Sequence, residues 1–346
     1  MYTQSDRHRI EFRESLTPTE IDELASNPDV QVLQCASSVQ PETWNLLNQD
    51  LFSNRPDIEL RVYGFYSSIC DLSFVARLPN VRRFAADCLM NAVGAEHLSS
   101  LERLEELSVG IYGLESFDFL TALPNGIRSL SLGATKSKKP RLDALSRFHS
   151  LRKLYIEGQQ NGIAVLDELQ ELEEVTLRSI STPNLEYVAR LPRLWWLDIK
   201  LGGIKSLSAI HGRENIKYLE LWQIRDLSDI NVISSLAGLQ SLFLQSLRNV
   251  KCIPDLSKLS RLRRLYLENM KGLKDVTTIR HAPALEQFVH VDARNIRAEQ
   301  YKDLPDKSSL QELHVGFGSK KKNQQFESLV TRSGKCKFRG NKFVFQ

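Results

Sequence analysis

The chain has 346 residues, of which 42% are hydrophobic and 25% are charged, and its formal net charge is +4. This is the composition of a soluble protein, and no apolar run approaches the ~18 residues of a membrane helix. The small positive charge does not by itself indicate a nucleic-acid partner, because such a partner requires a concentrated basic face. No apolar segment follows the first residues, so we expect no signal peptide and a cytoplasmic protein.

The cysteines support the same compartment. There are five, an odd number, and they are Cys35, Cys70, Cys88, Cys252 and Cys336. They are widely spaced and form no C-x-x-C pair, which favours reduced thiols over a disulfide framework.

The N-terminal region predicts a cap. Residues 1–16 are polar and are expected to form a loose arm. Thr17, Pro18 and Glu20 then supply a capping hydroxyl, a first-turn proline and a glutamate at the third helical position. We predict a short helix that ends near Asn27, with residues 1–28 as the N-terminal cap. The same helix is also compatible with the return segment of a degenerate first repeat.

Three hexamers of the pattern L-x-x-L-x-L follow at a constant spacing. They read IKYLEL, LQSLFL and LRRLYL, and their first residues, Ile216, Leu239 and Leu262, are each 23 residues apart. Less perfect copies begin at Val81, Leu104, Ile127, Leu151, Leu172, Leu194, Leu285 and Leu310. A period of about 20 to 29 residues predicts units of one strand and one return segment that bury their apolar faces by stacking. We predict about 13 units over residues 29–316, joined by short α or 3₁₀ turns.

On these hexamers the chain resembles the leucine-rich-repeat family. The resemblance implies an α/β solenoid, a curved right-handed superhelix with a parallel sheet on its concave side and a cap at each end. The family usually places Asn or Cys eight residues after the first residue of each repeat, where the side chain hydrogen-bonds the backbone. This chain instead has Thr135, Gln159, Ile180, Gly202, Ile224, Leu247, Met270 and Ala293 there. We therefore expect no polar ladder, and another means of satisfying the turn after each strand.

The period stops after Val315, and a C-terminal cap is predicted over residues 317–346. Lys320 to Ser333 has apolar residues at helical spacing, and Gly334 follows as a helix stop. Residues 337–345 then predict a β-hairpin around Gly340 and Asn341.

The alternation of side chains along a strand sorts each repeat into core and wall positions. The fourth and sixth residues point into the core, so the third, fifth and seventh point to the concave wall. Five aromatic residues fall at wall positions on four successive repeats, with charged residues among them. The predicted partner-binding residues are Trp196, Asp198, Tyr218, Glu220, Trp222, Phe243, Arg264, Tyr266 and Glu268. Contiguous aromatic residues with charges around them are typical of binding hot spots.

Two alternatives to this site stay open. Aromatic residues on strands also pack against cross-strand neighbours without any partner. A shift of register, or coverage by the chain's own termini, would also remove the residues from solvent. Trp195, at the second position of its repeat, is expected at the sheet edge and is not included.

The sequence predicts neither a metal nor a cofactor. His290 takes a core-type position, which favours a buried, hydrogen-bonded histidine, although a one-residue slip would turn it to the wall together with Phe288 and Asp292. His290, Asp292 and His314 have no further ligand converging on them. The sequence contains no phosphate loop, G-x-G-x-x-G, H-E-x-x-H or G-x-S-x-G motif.

We therefore expect a non-enzymatic module that binds another protein or a peptide on the concave wall, as a regulator, an effector-recognition protein or a toxin-neutralising protein. One alternative is an enzyme or enzyme subunit with a site near Cys70 and Cys88, which an unusually reactive thiol would indicate. Another is a nucleic-acid binder acting through the basic loops 136–141 and 320–322. It is not favoured, because no aromatic residues are interleaved with these lysines. The sequence determines neither the partner's identity nor the oligomeric state.

Overall fold

The computed structural model describes residues 2–65 and 68–346. The chain divides into two compact units, Met1–Leu172 and Glu173–Gln346. Both units consist of short strands that alternate with short helical segments, as the repeat predicts.

The first unit has a parallel sheet with an antiparallel hairpin at its beginning. Its strands are β1 (Tyr2–Asp6), β2 (Arg9–Phe12), β3 (Val32–Cys35), β4 (Glu59–Tyr63), β5 (Cys70–Asp71), β6 (Arg83–Leu89), β7 (Ala92–Val93), β8 (Glu106–Ile111), β9 (Ser129–Leu132) and β10 (Lys153–Glu157). Strand β1 pairs with β2 antiparallel, and β2, β3, β4, β6, β8, β9 and β10 pair in parallel in that order. Strands β5 and β7 form a separate parallel pair.

Helical segments return the chain between these strands. They are the α-helices α1 (Pro18–Ser26) and α2 (Pro41–Leu46), a π-helical turn at Leu47–Phe52, and 3₁₀ segments at Leu72–Arg77, Ala95–Ser100, Asp118–Ala122, Asp143–Arg147 and Ile163–Glu168. Such short returns follow from apolar residues spaced three apart.

The second unit repeats the arrangement with a purely parallel sheet. Its strands are β11 (Glu174–Arg178), β12 (Trp196–Lys200), β13 (Tyr218–Trp222), β14 (Ser241–Gln245), β15 (Arg264–Glu268), β16 (Gln287–Val291) and β17 (Glu312–Val315), each paired with the next in chain order. The helical segments are 3₁₀ turns at Glu186–Val188, Ser208–Ile210, Asn231–Ser235, Thr277–His281 and Ala298–Tyr301, followed by helix α3 (Lys320–Arg332).

Both units have the α/β leucine-rich-repeat architecture, and columns of leucines hold it together. In the second unit Leu219 pairs with Leu242, which in turn pairs with Leu265, and all three are fully buried. Burying each such side chain contributes about 1.5 to 3 kcal/mol. The spacing of 23 residues brings equivalent leucines into contact in adjacent repeats, which is why the sequence period and the strand register coincide.

The turn after each strand is held by backbone groups, since the usual asparagine is absent. Its first residue has a left-handed conformation in six non-glycine cases: Ser179, Leu201, Gln223, Ser246, Asn269 and Asp292. Its N–H donates to the next repeat, as from Leu201 to the Trp222 carbonyl (2.9 Å) and from Gln223 to the Gln245 carbonyl (2.8 Å). The following position then takes buried apolar residues such as Ile224 and Leu247. These residues add to the core where the family usually places asparagine.

One side-chain contact of the ladder type does form, contrary to expectation. The Gln159 Nε2 group donates to the Thr135 hydroxyl at 2.8 Å, and Gln159 is almost fully buried. The polar residues thus pair where two successive repeats both carry one.

The N-terminal prediction is right for the helix and wrong for the arm. Helix α1 begins at Pro18 with the predicted capping box between Thr17 and Glu20. Residues 2–12, expected as a loose arm, form β1 and β2 instead. Ile10 and Phe12 bury their side chains, so the open edge of β3 is covered by a paired strand.

The C-terminal helix is where it was predicted, but the hairpin is not formed. Cys336 makes an isolated parallel bridge to Glu312, and residues 337–346 contain no strand. Side chains of the sheet donate hydrogen bonds to carbonyls that would be paired within a hairpin, as Arg264 does to the Asn341 carbonyl at 2.8 Å. The boundaries 1–28, 29–316 and 317–346 stay a prediction. No helix in the described residues is both long and apolar enough to span a bilayer.

The left-handed turn residues give a direct test of this backbone arrangement. Gly158 has φ +85° and nothing within 4 Å of an added Cβ, so Gly158→Ala introduces backbone strain without a clash. We expect the free energy of unfolding to fall by about 1 kcal/mol, measured by urea denaturation. Gly126 is equally open but lacks the positive φ, so Gly126→Ala is the matched control and should be neutral or stabilising. Equal losses in both variants would contradict the role given to the left-handed turn.

Candidate functional site

The predicted site residues lie on one face of the second unit, in three rows that cross the strands. We call this surface, formed by the third, fifth and seventh positions of β11 to β17, the open face. The rows follow from register: Trp196 pairs with Tyr218, Asp198 with Glu220, and Lys200 with Trp222. The burial of β13 alternates accordingly, with Leu219 and Leu221 buried and Tyr218, Glu220 and Trp222 half-buried. The nine predicted residues are therefore neighbours in space.

The aromatic residues of the open face stack in two pairs. The rings of Trp196 and Tyr218 lie 3.6 Å apart at 16°, and those of Phe243 and Tyr266 lie 4.9 Å apart at 22°. Such pairs contribute about 0.5 to 1.5 kcal/mol beyond the area that they bury. Cross-strand packing thus fixes the rings in one orientation.

A charged network lies beside the Trp196–Tyr218 pair. Lys200 bridges Asp198 at 2.7 Å and Glu220 at 3.3 Å, and the Tyr218 hydroxyl donates to Glu220 at 2.5 Å. Burial opposes the charge of Lys200, but the two carboxylates raise its pKa overall. Burial and the hydrogen bond to Glu220 raise the pKa of Tyr218, so its hydroxyl keeps its proton and stays a donor.

Asp198 is the buried member of this network. It is 4% exposed, and its Oδ1 atom has no hydrogen-bond partner among the described residues. Burial, with repulsion from Glu220, raises its pKa to about 6 despite the attraction of Lys200. Its carboxyl group therefore exchanges its proton near pH 6.

The seventh-position row carries the third aromatic element of the open face. The Trp222 ring lies 5.8 Å from both the Arg178 guanidinium and the Lys200 ammonium. Gln245 donates to Glu268 at 3.0 Å. Trp222 and Glu268 are half-buried, so this row presents an aromatic group and a carboxylate to solvent.

Residues 337–346, which we call the tail, lie on the open face along its third-position row, away from the seventh-position row. Phe345 contacts Trp195, Trp196 and Tyr218, with ring centroids between 5.2 and 6.1 Å. Phe338 lies 6.1 Å from Tyr266. The tail therefore contacts Trp196, Tyr218, Arg264 and Tyr266 of the predicted site. Among the described residues, no hydrogen bond or ring contact joins it to Asp198, Glu220, Trp222, Phe243 or Glu268.

The second position of each repeat, which the sequence analysis set aside, supplies most of the polar contacts to the tail. We call these residues the edge row: Trp195, Lys217, Gln240 and Arg263. Lys217 donates to the Gln346 carbonyl at 2.9 Å, and Gln240 both donates to that carbonyl and accepts from the Gln346 N–H. Arg263 donates to the Val344 carbonyl at 3.1 Å. The signal in the sequence is the run of large polar or aromatic residues at this position.

His290 is a structural residue. It is fully buried, and its Nδ1 atom lies 2.8 Å from the Tyr301 hydroxyl. Burial lowers its pKa to about 4, so the ring is neutral. The interpretation as a buried, hydrogen-bonded histidine is confirmed. No group of three or more His, Cys, Asp or Glu side chains in the described part of the chain is arranged to hold a metal ion.

The N-terminal cysteines do not support a reactive thiol at Cys70. Cys70 is fully buried, and burial raises its pKa to about 12, which suppresses the thiolate. A cavity of about 390 Å³ lies nearby and is lined by Trp44, Phe74 and Arg77, among others, but not by either cysteine. Cys88 is exposed, and its nearest polar contact is Arg61 at 3.9 Å.

Solved structures share the fold of this chain. Toll of Drosophila, in its complex with Spatzle, is 14% identical, with a TM-score of 0.61, over 91% of this chain and 44% of that chain. An internalin of Listeria monocytogenes is 12% identical, with a TM-score of 0.52, over 94% and 90%. A leucine-rich-repeat protein of Leptospira interrogans is 14% identical, with a TM-score of 0.50, over 93% and 92%. No protein-family model and no curated protein matches the sequence. At these identities the likeness establishes the fold.

The raised pKa of Asp198 predicts that its contribution to the free energy of unfolding falls as the pH rises, which is the opposite of the usual behaviour of a carboxyl group. Between its ordinary value of 3.8 and about 6 the folded state holds the proton more tightly than the unfolded chain. Ionisation therefore lowers stability as pH rises through this window, and the cost is constant above it. Asp198→Asn removes the effect. Relative to wild type, its free energy of unfolding should rise by up to about 3 kcal/mol between pH ~4 and ~6, by urea denaturation at several pH values.

Asp57 is the control with the opposite sign. Its hydrogen bond from Arg55 lowers its pKa, so Asp57→Asn should lose stability relative to wild type as pH rises. A difference between Asp198→Asn and wild type that does not vary with pH would contradict the proposed titration.

Proposed function

On the basis of the leucine-rich-repeat fold, we propose that this chain is a non-enzymatic module that binds a segment of another protein on the open face of residues 173–346. The observation that carries the proposal is the pairing of aromatic rings across four successive strands, on a face that is not part of the core. Rigid aromatic side chains bury a large area at a small entropic cost, which is what binding hot spots require.

The charged residues of the open face support a protein partner of mixed polarity. Asp198, Lys200 and Glu220 are already joined in the free chain, so binding does not have to order them. The half-buried side chains of Lys200 and Glu220 offer a partner one cation and one carboxylate beside the rings. A ligand that meets both the rings and these charges gains apolar burial and charge-assisted hydrogen bonds.

A solved example of the fold agrees with this type of partner. The Toll structure similar to this chain is a complex with Spatzle. The sequence expectation of a cytoplasmic location belongs to the same proposal, and it rests on unpaired cysteines: all five are free.

Capture experiments with matched variants test the proposal. Tagged full-length wild type, the double variant Trp222→Ala/Phe243→Ala, and the control Tyr112→Ala are used to capture partners, which are then identified and purified. Tyr112 is exposed and lies outside the open face, in the first unit. We expect wild type and Tyr112→Ala to bind the same protein with equal affinity by calorimetry, and the double variant at least ten-fold more weakly.

The two substituted residues were chosen for a reason of geometry. Both are half-buried and have no hydrogen bond or ring contact with the tail among the described residues, so neither substitution removes a bond that holds the tail. Circular dichroism verifies that the variants are folded. A partner that is bound equally by all three proteins would refute the open face as its site.

A further inference from the structure

We propose that the tail is a built-in competitor for the open face, and that a partner presenting an extended segment with two aromatic side chains two residues apart displaces it. This inference rests on the proposed function and concerns its regulation. The tail now lies against the edge row, the third-position row and, through Phe338, Tyr266 of the fifth-position row.

The tail is bound as a ligand is bound, through its backbone and its three phenylalanines, of which Phe338 contacts Tyr266 and Arg264. Side chains of the edge row and of Arg264 donate to the carbonyls of Asn341, Val344 and Gln346 at 2.7 to 3.1 Å. These contacts use backbone atoms, so another extended peptide reproduces them regardless of its sequence.

Phe343 and Phe345 contact different side chains of the sheet. Phe345 makes edge-to-face contacts with the Trp196 and Tyr218 rings, and Phe343 lies against the Arg263 and Arg264 guanidiniums at 5.1 and 4.9 Å. Val344, between them, is 71% exposed. The alternation fits an extended segment that uses every second side chain. The displacing segment is therefore expected to carry aromatic residues at those two positions.

Burial of the sheet under the tail shows where water is excluded. Gln240 and Ser241 are polar residues at wall or edge positions, yet they are 2% and 3% exposed. Gln240 satisfies its amide through Gln346, as described above. When the tail is removed, water can hydrogen-bond these polar groups. The uncovered surface therefore costs less free energy than an exposed apolar groove would.

Repulsion between like charges weakens the binding of the tail to the sheet. Lys337, Arg339 and Lys342 of the tail are exposed, and Lys337 pairs with Glu327 at 3.0 Å. The surface that holds the tail presents the cations Lys217, Arg264 and Arg263, the last of which pairs with Glu286 at 3.0 Å. Like charges weaken the contact, while an acidic segment in the same position gains attraction. The partner chemistry that follows is an extended aromatic segment with acidic flanks.

The experiment uses the full chain and the tail sequence as a probe. A fluorescein-labelled peptide of residues 337–346 is titrated, by fluorescence anisotropy, into wild type, Phe343→Ala/Phe345→Ala and the control Val344→Ala. The double variant loosens the attached tail, whereas the control keeps both phenylalanines. We expect the peptide to bind the double variant at least ten-fold more tightly than the other two. Adding Trp196→Ala to the double variant should remove the binding.

A limit on affinity makes the negative result decisive. An attached segment has an effective concentration on the order of 1 mM. A tail that occupies its site most of the time must therefore have a Kd below about 1 mM as a free peptide. Absence of binding to the double variant up to about 1 mM would overturn the proposal. That result would not affect the proposed function, which is tested separately by partner binding to the Trp222→Ala/Phe243→Ala variant.

Two further outcomes separate the parts of the proposal. Equal binding to all three proteins means that the face is open in wild type, which refutes the tail as a competitor while sparing the face as a peptide site. A second peptide, with glutamate in place of Lys337, Arg339 and Lys342, should bind the double variant more tightly at low salt, with the difference shrinking as salt rises. If it binds no more tightly, the acidic partner chemistry is wrong.

Discussion

The stacking of parallel strands in constant register is the constraint on which the second unit and its open face depend. From β11 to β16 each residue faces its equivalent in the next repeat, so leucines meet leucines in the core and wall residues meet wall residues on the open face. A slip of one residue would exchange the two sets. The left-handed turn residues support this register, because the N–H groups of those that follow β11 to β15 donate to carbonyls of the next repeat.

The same constraint gives the open face its chemical character. Residues that are distant in sequence, such as Trp196 and Tyr218, stack at 3.6 Å because equivalent positions of adjacent repeats are about 4.8 Å apart along the sheet. Lys200 reaches carboxylates on two strands for the same reason. Packing of this kind orders the side chains before any partner arrives, which lowers the entropic cost of binding.

The tail gives the open face two different halves. One half, with Trp196, Tyr218 and Arg264, is in contact with the tail. The other half, with Trp222 and Glu268, has no hydrogen bond or ring contact with the tail among the described residues. In the first half, side chains of the sheet donate mainly to backbone carbonyls, which any extended segment offers. Under the proposed function, the first half would accept many extended segments, and the side chains of the second half would select among them.

The sequence by itself determined the repeats, the strands and the three rows of the open face, because a strand alternates its side chains and a fixed period forces equivalent residues together. It also indicated the capping helix α1 and helix α3. It did not determine the hairpin of residues 2–12 or the path of the tail. Residues 337–345 have the local pattern of a hairpin, but Arg263, Arg264 and Gln240 take their backbone groups. Those donors lie about 77 to 106 residues away in sequence, and only the tertiary structure brings them to the tail.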